Sequence, residues 1–234
     1  MIFLAMDDTD VLGSRGTGKL ARSVGASLAD QYTIQGISRH QLFVHEAIPF
    51  TSHNSCAVLH ICTSGRDNAK HIFSLAKEIM LNDFIEGSDP GITVAEEHQI
   101  TPALVAYGYE AKKSVLNQEM ARSLAADLGI TLQGLGGTED GVIGAMAGLG
   151  LASTQNDGRY IMKGTIRDLL GPTPAEILLK AGIDQIITMD GEEIHNGTIF
   201  VREGKSVKPC PVEGKAVLFV EKRDDGRLHA IKRN

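Results

Sequence analysis

Asp7, Asp8 and Asp10 crowd three carboxylates into four residues, directly after the continuously apolar run at 2–6. Two such charges about 5 Å apart repel by roughly 3 kcal/mol at an effective dielectric near 20. Water relieves that repulsion in an exposed turn; a cation relieves it in a sheltered one. Oxygen-only donors suit Mg²⁺ or Mn²⁺, and Mg²⁺ tends to keep waters and bridge to phosphates. The three aspartates are therefore candidate metal ligands, with a solvated acidic turn as the competing reading.

The segment that follows is Gly13-Ser14-Arg15-Gly16-Thr17-Gly18-Lys19-Leu20. Glycines let a backbone approach a phosphate closely, and a helix N-terminus offers unpaired N–H groups and the positive end of its dipole. Gly13, Ser14, Arg15, Gly16 and Gly18 are the candidate phosphate contacts. Lys19 would neutralise developing charge. The pattern is G-x-x-x-x-G-K, but Leu20 stands where a P-loop needs a hydroxyl for its metal. A glycine-rich strand-to-helix turn without a ligand explains the same residues. A second glycine thread runs Gly136-Gly137-Thr138-Glu139-Asp140-Gly141. Thr138 can cap a helix, with Glu139 and Asp140 suited to its first turn. Alternatively, Gly137 and Thr138 form a second wall of a nucleotide site, with Glu139 or Asp140 adding to the metal shell.

These residues need a scaffold. Residues 2–6 suit a strand buried on both faces. Leu20, Val24 and Leu28 recur every four positions and predict a helix over about 17–30. Runs at 33–44 and 56–62 are β-like, separated by an irregular loop at 48–54, and Ile72, Leu75 and Ile79 give helical spacing over 67–82. Residues 87–91 read as a turn. A long helix is predicted over about 109–128, with Val115, Met120, Leu124 and Leu128 inward and Gly129 at its end. Seven glycines between 134 and 150 suggest a turn entering a small-residue helix. Beyond Arg159 come short β-like runs at 160–166, 185–189, 198–202 and 216–221, with one helix at 174–181. The expected fold is α+β (α/β): a mixed-sheet body, residues 1–155, with helices packed on it, and a smaller β-rich region, 156–234.

Composition narrows the classes. The chain has 234 residues, 42% of them hydrophobic, which supports a core and excludes wholesale disorder. No run approaches the roughly 20 apolar residues of a membrane span, and carboxylates stand where a signal peptide would still be apolar, so a cytoplasmic location is expected. Three cysteines without a C-x-x-C exclude a disulfide framework and a Cys-type zinc site; Cys56 and Cys62 read as buried small hydrophobes. Four histidines between 40 and 60 match no common zinc spacing, and His60 reads as a hydrogen-bonded strand residue. From Arg202 onward nine Lys/Arg meet five Asp/Glu, a net +4 that leaves −10 on the first 201 residues. So acidic a body is a poor general nucleic-acid surface. Only the tail could lean on phosphates, and a solvated basic terminal hairpin is the simpler reading of it.

Asp7-Asp8-Thr9-Asp10 after a short apolar strand resembles the opening of the archaeal tRNA(Ile2) 2-agmatinylcytidine synthetase family. Three further pieces match that family in the same order: Ile48-Pro49-Phe50 with Asn54, Asp89-Pro90-Gly91, and Gly141-Val142-Ile143-Gly144-Ala145. The resemblance spans residues 1–152. It implies a kinase-like domain using ATP and Mg²⁺, with Asp7, Asp8 and Asp10 on the metal, Thr17 as phosphoacceptor or phosphate contact, and Asn54 near the nucleotide. His53, beside Asn54, becomes a candidate general base or phosphate donor. Departures are Val11 for the family's serine and Gly18-Lys19 after Thr17, and the chain ends too soon for the family's OB-fold and zinc ribbon. The resemblance therefore implies a Mg-dependent, ATP-using phosphotransferase or ligase acting on a small or nucleotide-like acceptor. Its partners would be a nucleotide and a small molecule, with oligomerisation open. Alternatives are a non-catalytic nucleotide or metal sensor, and a tRNA-modifying subunit that borrows its RNA-binding parts.

Overall fold

The computed structural model describes residues 1–51, 53–63 and 68–233. The fold is α+β, and the chain divides into two compact units, Met1–Thr154 and Gln155–Asn234. Ser52, within the loop at 48–54, and Asp67, at the start of the helix expected over 67–82, lie outside the described residues.

The first unit opens with β1 (Ile2–Asp7), α1 (Thr17–Leu28), β2 (Thr33–Gln41), β3 (Ser55–Cys62), α2 (Asn68–Asn82) and β4 (Gly91–Glu96). Their spatial order, β4-β1-β3-β2, is the split β-α-β of ferredoxin-like folds. A fifth strand, β5 (Thr131–Gly134), pairs with β4. The pairings among β1 to β5 are antiparallel.

β1 is central and buried along its whole length, as its apolar run suggests. Successive side chains alternate between faces. Leu4 and Met6 are fully buried on one side, where α1 and α2 pack and Leu20, Val24 and Leu28 point inward. Phe3 and Ala5 join Cys56 and Val58 on the other side, beneath α5 (Gly141–Ser153). Eleven of the thirteen residues of α5 are buried, which its small side chains permit, since the helix lies close to β1, β3 and β4.

The single helix expected at 109–128 is two, α3 (Pro102–Glu110) and α4 (Gln118–Leu128). Thr101 caps α3, with Pro102 in its first turn, and Asn117 caps α4. Val115 and Met120 are exposed rather than inward; Ala121, Leu124, Ala125 and Leu128 form the packed face. Gly129 ends α4 in the left-handed conformation, as expected. Cys62 is exposed, against expectation, whereas Cys56 is buried. His60 is a hydrogen-bonded strand residue, sharing the buried Ser38 hydroxyl with His40 at 2.7 Å each.

The second unit contains β6 (Arg159–Met162), β7 (Thr173–Pro174), α6 (Ala175–Lys180), β8 (Gln185–Thr188), β9 (Thr198–Phe200), β10 (Cys210–Val212), β11 (Lys215–Lys222) and β12 (Leu228–Ala230). Strands run in the order β10-β11-β12-β9-β7, with β8 parallel to β11. Leu178, Ile186, Ile199, Leu218 and Val220 belong to its own core. Among the described residues, no helix is long and apolar enough to cross a membrane.

Candidate functional site

Asp7 ends β1 on the same side as Phe3 and Ala5, facing α5. Asp8 then takes a left-handed conformation at φ 53, turning the chain out of the sheet. The start of α5 is brought against this turn by glycines. Gly141 and Gly91 touch backbone to backbone, and the Gly141 N–H donates to the Asp89 carbonyl at 2.8 Å. The Asp7 carboxylate occupies the space that a side chain at Gly144 would need.

A cleft of about 230 Å³ opens here. Asp7, Asp8, Asp10 and Asp140 line one end, with Thr17. Ile48, Pro49, Phe50, Val115 and Leu116 contribute apolar walls. No lysine or arginine is among the described lining residues. The electrostatic consequence is large. Burial, with Asp8 adjacent, pushes the Asp7 carboxyl up to about 8. Burial raises Asp8 to about 6, with Asp89, Asp10 and Asp140 adding like-charge repulsion.

Asp10 has a different environment. Its Oδ1 accepts the Thr17 hydroxyl at 2.8 Å and the Thr17 N–H at 3.3 Å, while Oδ2 accepts the Thr51 hydroxyl at 3.0 Å. Thr9 donates in turn to Thr17 Oγ1 at 3.1 Å. The anion at the N-terminus of α1 is thus the protein's own carboxylate.

The cleft brings together Asp7, Asp8, Asp10, Thr17, His53 and Asn54 from the sequence-derived set. Asn54 also donates to the Phe43 carbonyl at 2.6 Å, closing the neck of its loop. Gly13, Ser14, Arg15, Gly16, Gly18, Lys19, Gly137 and Thr138 do not line it. Arg15 is committed elsewhere: it donates to the carbonyls of Thr9 at 3.1 Å and Asp83 at 2.6 Å and pairs with the Asp83 carboxylate at 2.5 Å. Lys19 is exposed on α1. Thr138 does not cap α5; that position is Asp140, and the Thr138 N–H is bound to the Asp89 carboxylate.

Sequence reasoning missed Thr51, Ser114, Asn117 and Gln118 on the cleft wall. Gln118 donates to the Thr138 carbonyl and to Asp140 Oδ1, each at 2.7 Å, and accepts from Arg122 at 3.1 Å. The signal that would have found this wall is the cap: Asn117 accepts the Met120 N–H at 2.9 Å, starting α4 where one long helix was expected.

Among the described residues, no three His, Cys, Asp or Glu side chains are arranged to hold a metal ion by themselves. Asp8, Asp10 and Asp140 are nonetheless oxygen donors of the kind a hydrated Mg²⁺ takes, and such an ion needs only one or two protein carboxylates beside phosphate and water.

No protein-family model matches the chain, and no curated protein matches it. Solved structures do. The chain is similar to a tRNA fluorescent labeling enzyme, at 20% identity and a TM-score of 0.55. It is similar to apo TiaS, a tRNAIle2 agmatidine synthetase, at 20% identity and 0.53, and to TiaS in complex with tRNA(Ile2) and ATP, at 19% and 0.55. Each match covers 64% of this chain and 35–36% of the other, so the chain matches about a third of the length of those proteins. At these identities the likeness is one of fold.

Proposed function

We propose that the first unit is an ATP-dependent group-transfer domain whose cleft receives a nucleotide through Mg²⁺, as a phosphotransferase or ligase acting on a small or nucleotide-like acceptor. The observation that carries this reading is the concentration of Asp7, Asp8, Asp10 and Asp140 at a cleft whose described lining has no lysine or arginine. A polyphosphate is repelled by the ionised carboxylates among these four unless a cation lies between them. Asp8, Asp10 and Asp140 would hold Mg²⁺, which when bound supplies charge neutralisation to the phosphates. Asp10 holds the Thr17 hydroxyl at 2.8 Å and so fixes its orientation in the cleft. Ile48, Phe50 and Val115 give the same space an apolar wall.

Two neighbours of this fold support the reading: one is a complex with tRNA(Ile2) and ATP, the other a complex with tRNA(Ile2), AMPCPP and agmatine. A positively charged acceptor is favoured by the same acidic lining. The test is thermal: Mg-ATP raises the melting temperature, whereas ATP with a chelator does not. At about 100 times Kd the added stability is about 2.7 kcal/mol. Asp8→Asn removes the response. Absence of any Mg-ATP-dependent shift in the wild type overturns the proposal.

A further inference from the structure

We propose that the outward face of the second unit's sheet binds single-stranded nucleic acid, stacking bases on Phe200 and His229 and on the guanidinium planes of Arg227 and Arg233. In β9, Ile199 is fully buried in the unit's core, so Phe200 points to the opposite side. His229 is its direct neighbour across the β9–β12 pairing, and the two rings stack at 5.5 Å with 27° between planes. The Arg227 guanidinium lies 5.0 Å over Phe200 and that of Arg233 lies 4.2 Å over Phe219.

Phe219 belongs to a small cluster with Ile187 and Ile231, separate from the main core. An ordinary solvated hairpin would extend its cations into water; here two of the five exposed at 222–233, namely Lys222, Arg223, Arg227, Lys232 and Arg233, lie over rings: Arg227 over Phe200 and Arg233 over Phe219. A guanidinium resting on a ring presents its other plane to a ligand, and bases stack on such surfaces whatever their sequence. Arg223 and Arg227 pair with Glu221 at 3.4 Å and Asp225 at 3.6 Å. Exposed pairs of this kind contribute little, and phosphate can replace the carboxylates. The net +4 from Arg202 onward provides the attraction to a backbone. Phe200 and His229, the half-buried rings of this face, suit unpaired bases, which makes a single strand the fitting partner rather than a duplex.

The experiment is fluorescence anisotropy on the full chain with a labelled oligouridylate of about 20 nucleotides and a duplex of the same length, at about 50 and 200 mM salt. Single-strand binding that weakens with salt and exceeds duplex binding is expected. Phe200→Leu and Arg227→Lys preserve charge, and each weakens binding on the order of tenfold if stacking contributes. Arg227 is on an exposed turn, so its variant keeps the test valid if Phe200→Leu fails to fold. No single-strand binding at the lower salt, equal binding of duplex, or affinity unchanged in Arg227→Lys overturns the proposal.

Discussion

Asp7 is buried against α5 with its pKa pushed from 3.8 up to about 8, so the native protein holds a proton there that the unfolded chain has already lost. Over the window from about pH 4 to about pH 8 the folded state binds more protons than the unfolded state, and stability in the presence of a chelator falls as pH rises. Asp8, raised to about 6, adds to the same slope in its lower half. Asp7→Asn keeps the shape and removes the charge. It is expected to raise the melting temperature at pH 8, to change it little at pH 4, and to flatten the profile between; an unchanged slope would mean that Asp7 is ionised and compensated in the fold. Mn²⁺ affinity, measured by electron paramagnetic resonance, is expected to rise through about pH 6 as the Asp8 proton leaves. That three aspartates end the first strand was legible in the sequence. That Asp7 and Asp10 do different things was not: one faces Gly144, more than a hundred residues away, and the other is held by Thr17 and Thr51. No local spacing records either closure.

Elements with strong periodicity were legible for the same reason that they fold: Leu20, Val24 and Leu28 make one buried stripe on α1, and the apolar run of β1 matches a strand covered on both faces. Where periodicity misled, capping chemistry held the answer. Asn117 and Thr101-Pro102 mark two helix starts, yet Val115 falls near enough in step with Met120, Leu124 and Leu128 to hide the break at Ser114 and Val115, which is the part that lines the cleft. Helix α5 is the element on which the site depends most, because its glycines set how near it lies to the sheet and to α3. A methyl at Gly150 would strike the Leu104 carbonyl, which is backbone and cannot step aside. At Gly148 it would meet the Cys56 sulfur at 2.9 Å and a Val58 methyl at 3.0 Å, both side-chain atoms with some freedom. Overpacking costs about 1–3 kcal/mol and sometimes more. Gly150→Ala is therefore expected to lower the melting temperature by more than Gly148→Ala, in scanning calorimetry of the full chain. The reverse order would show that α5 shifts against α3 more readily than against the sheet.

Across the whole molecule, charge and core both divide. The first 201 residues carry a net −10 and the remainder +4. The hydrophobic cluster under α5 and the one containing Ile186, Ile199 and Leu218 share no residue. A ligand stabilises the segments it touches and the cooperative unit that carries them, so the two proposed ligands should leave separable footprints in amide hydrogen exchange. Mg-ATP is expected to slow exchange at 8–10, 48–51 and 114–118, the cleft segments, and to leave 198–200 and 228–230 unchanged. Oligouridylate is expected to do the opposite. The acidic cleft repels a bare nucleic-acid backbone, and the carboxylates described beside the aromatic face, Glu221 and Asp225, are paired with Arg223 and Arg227, so neither ligand has a physical reason to protect the other's segment. Protection of 48–51 by oligouridylate alone would move the nucleic-acid site to the cleft, and protection of 228–230 by Mg-ATP alone would move the nucleotide site to the sheet.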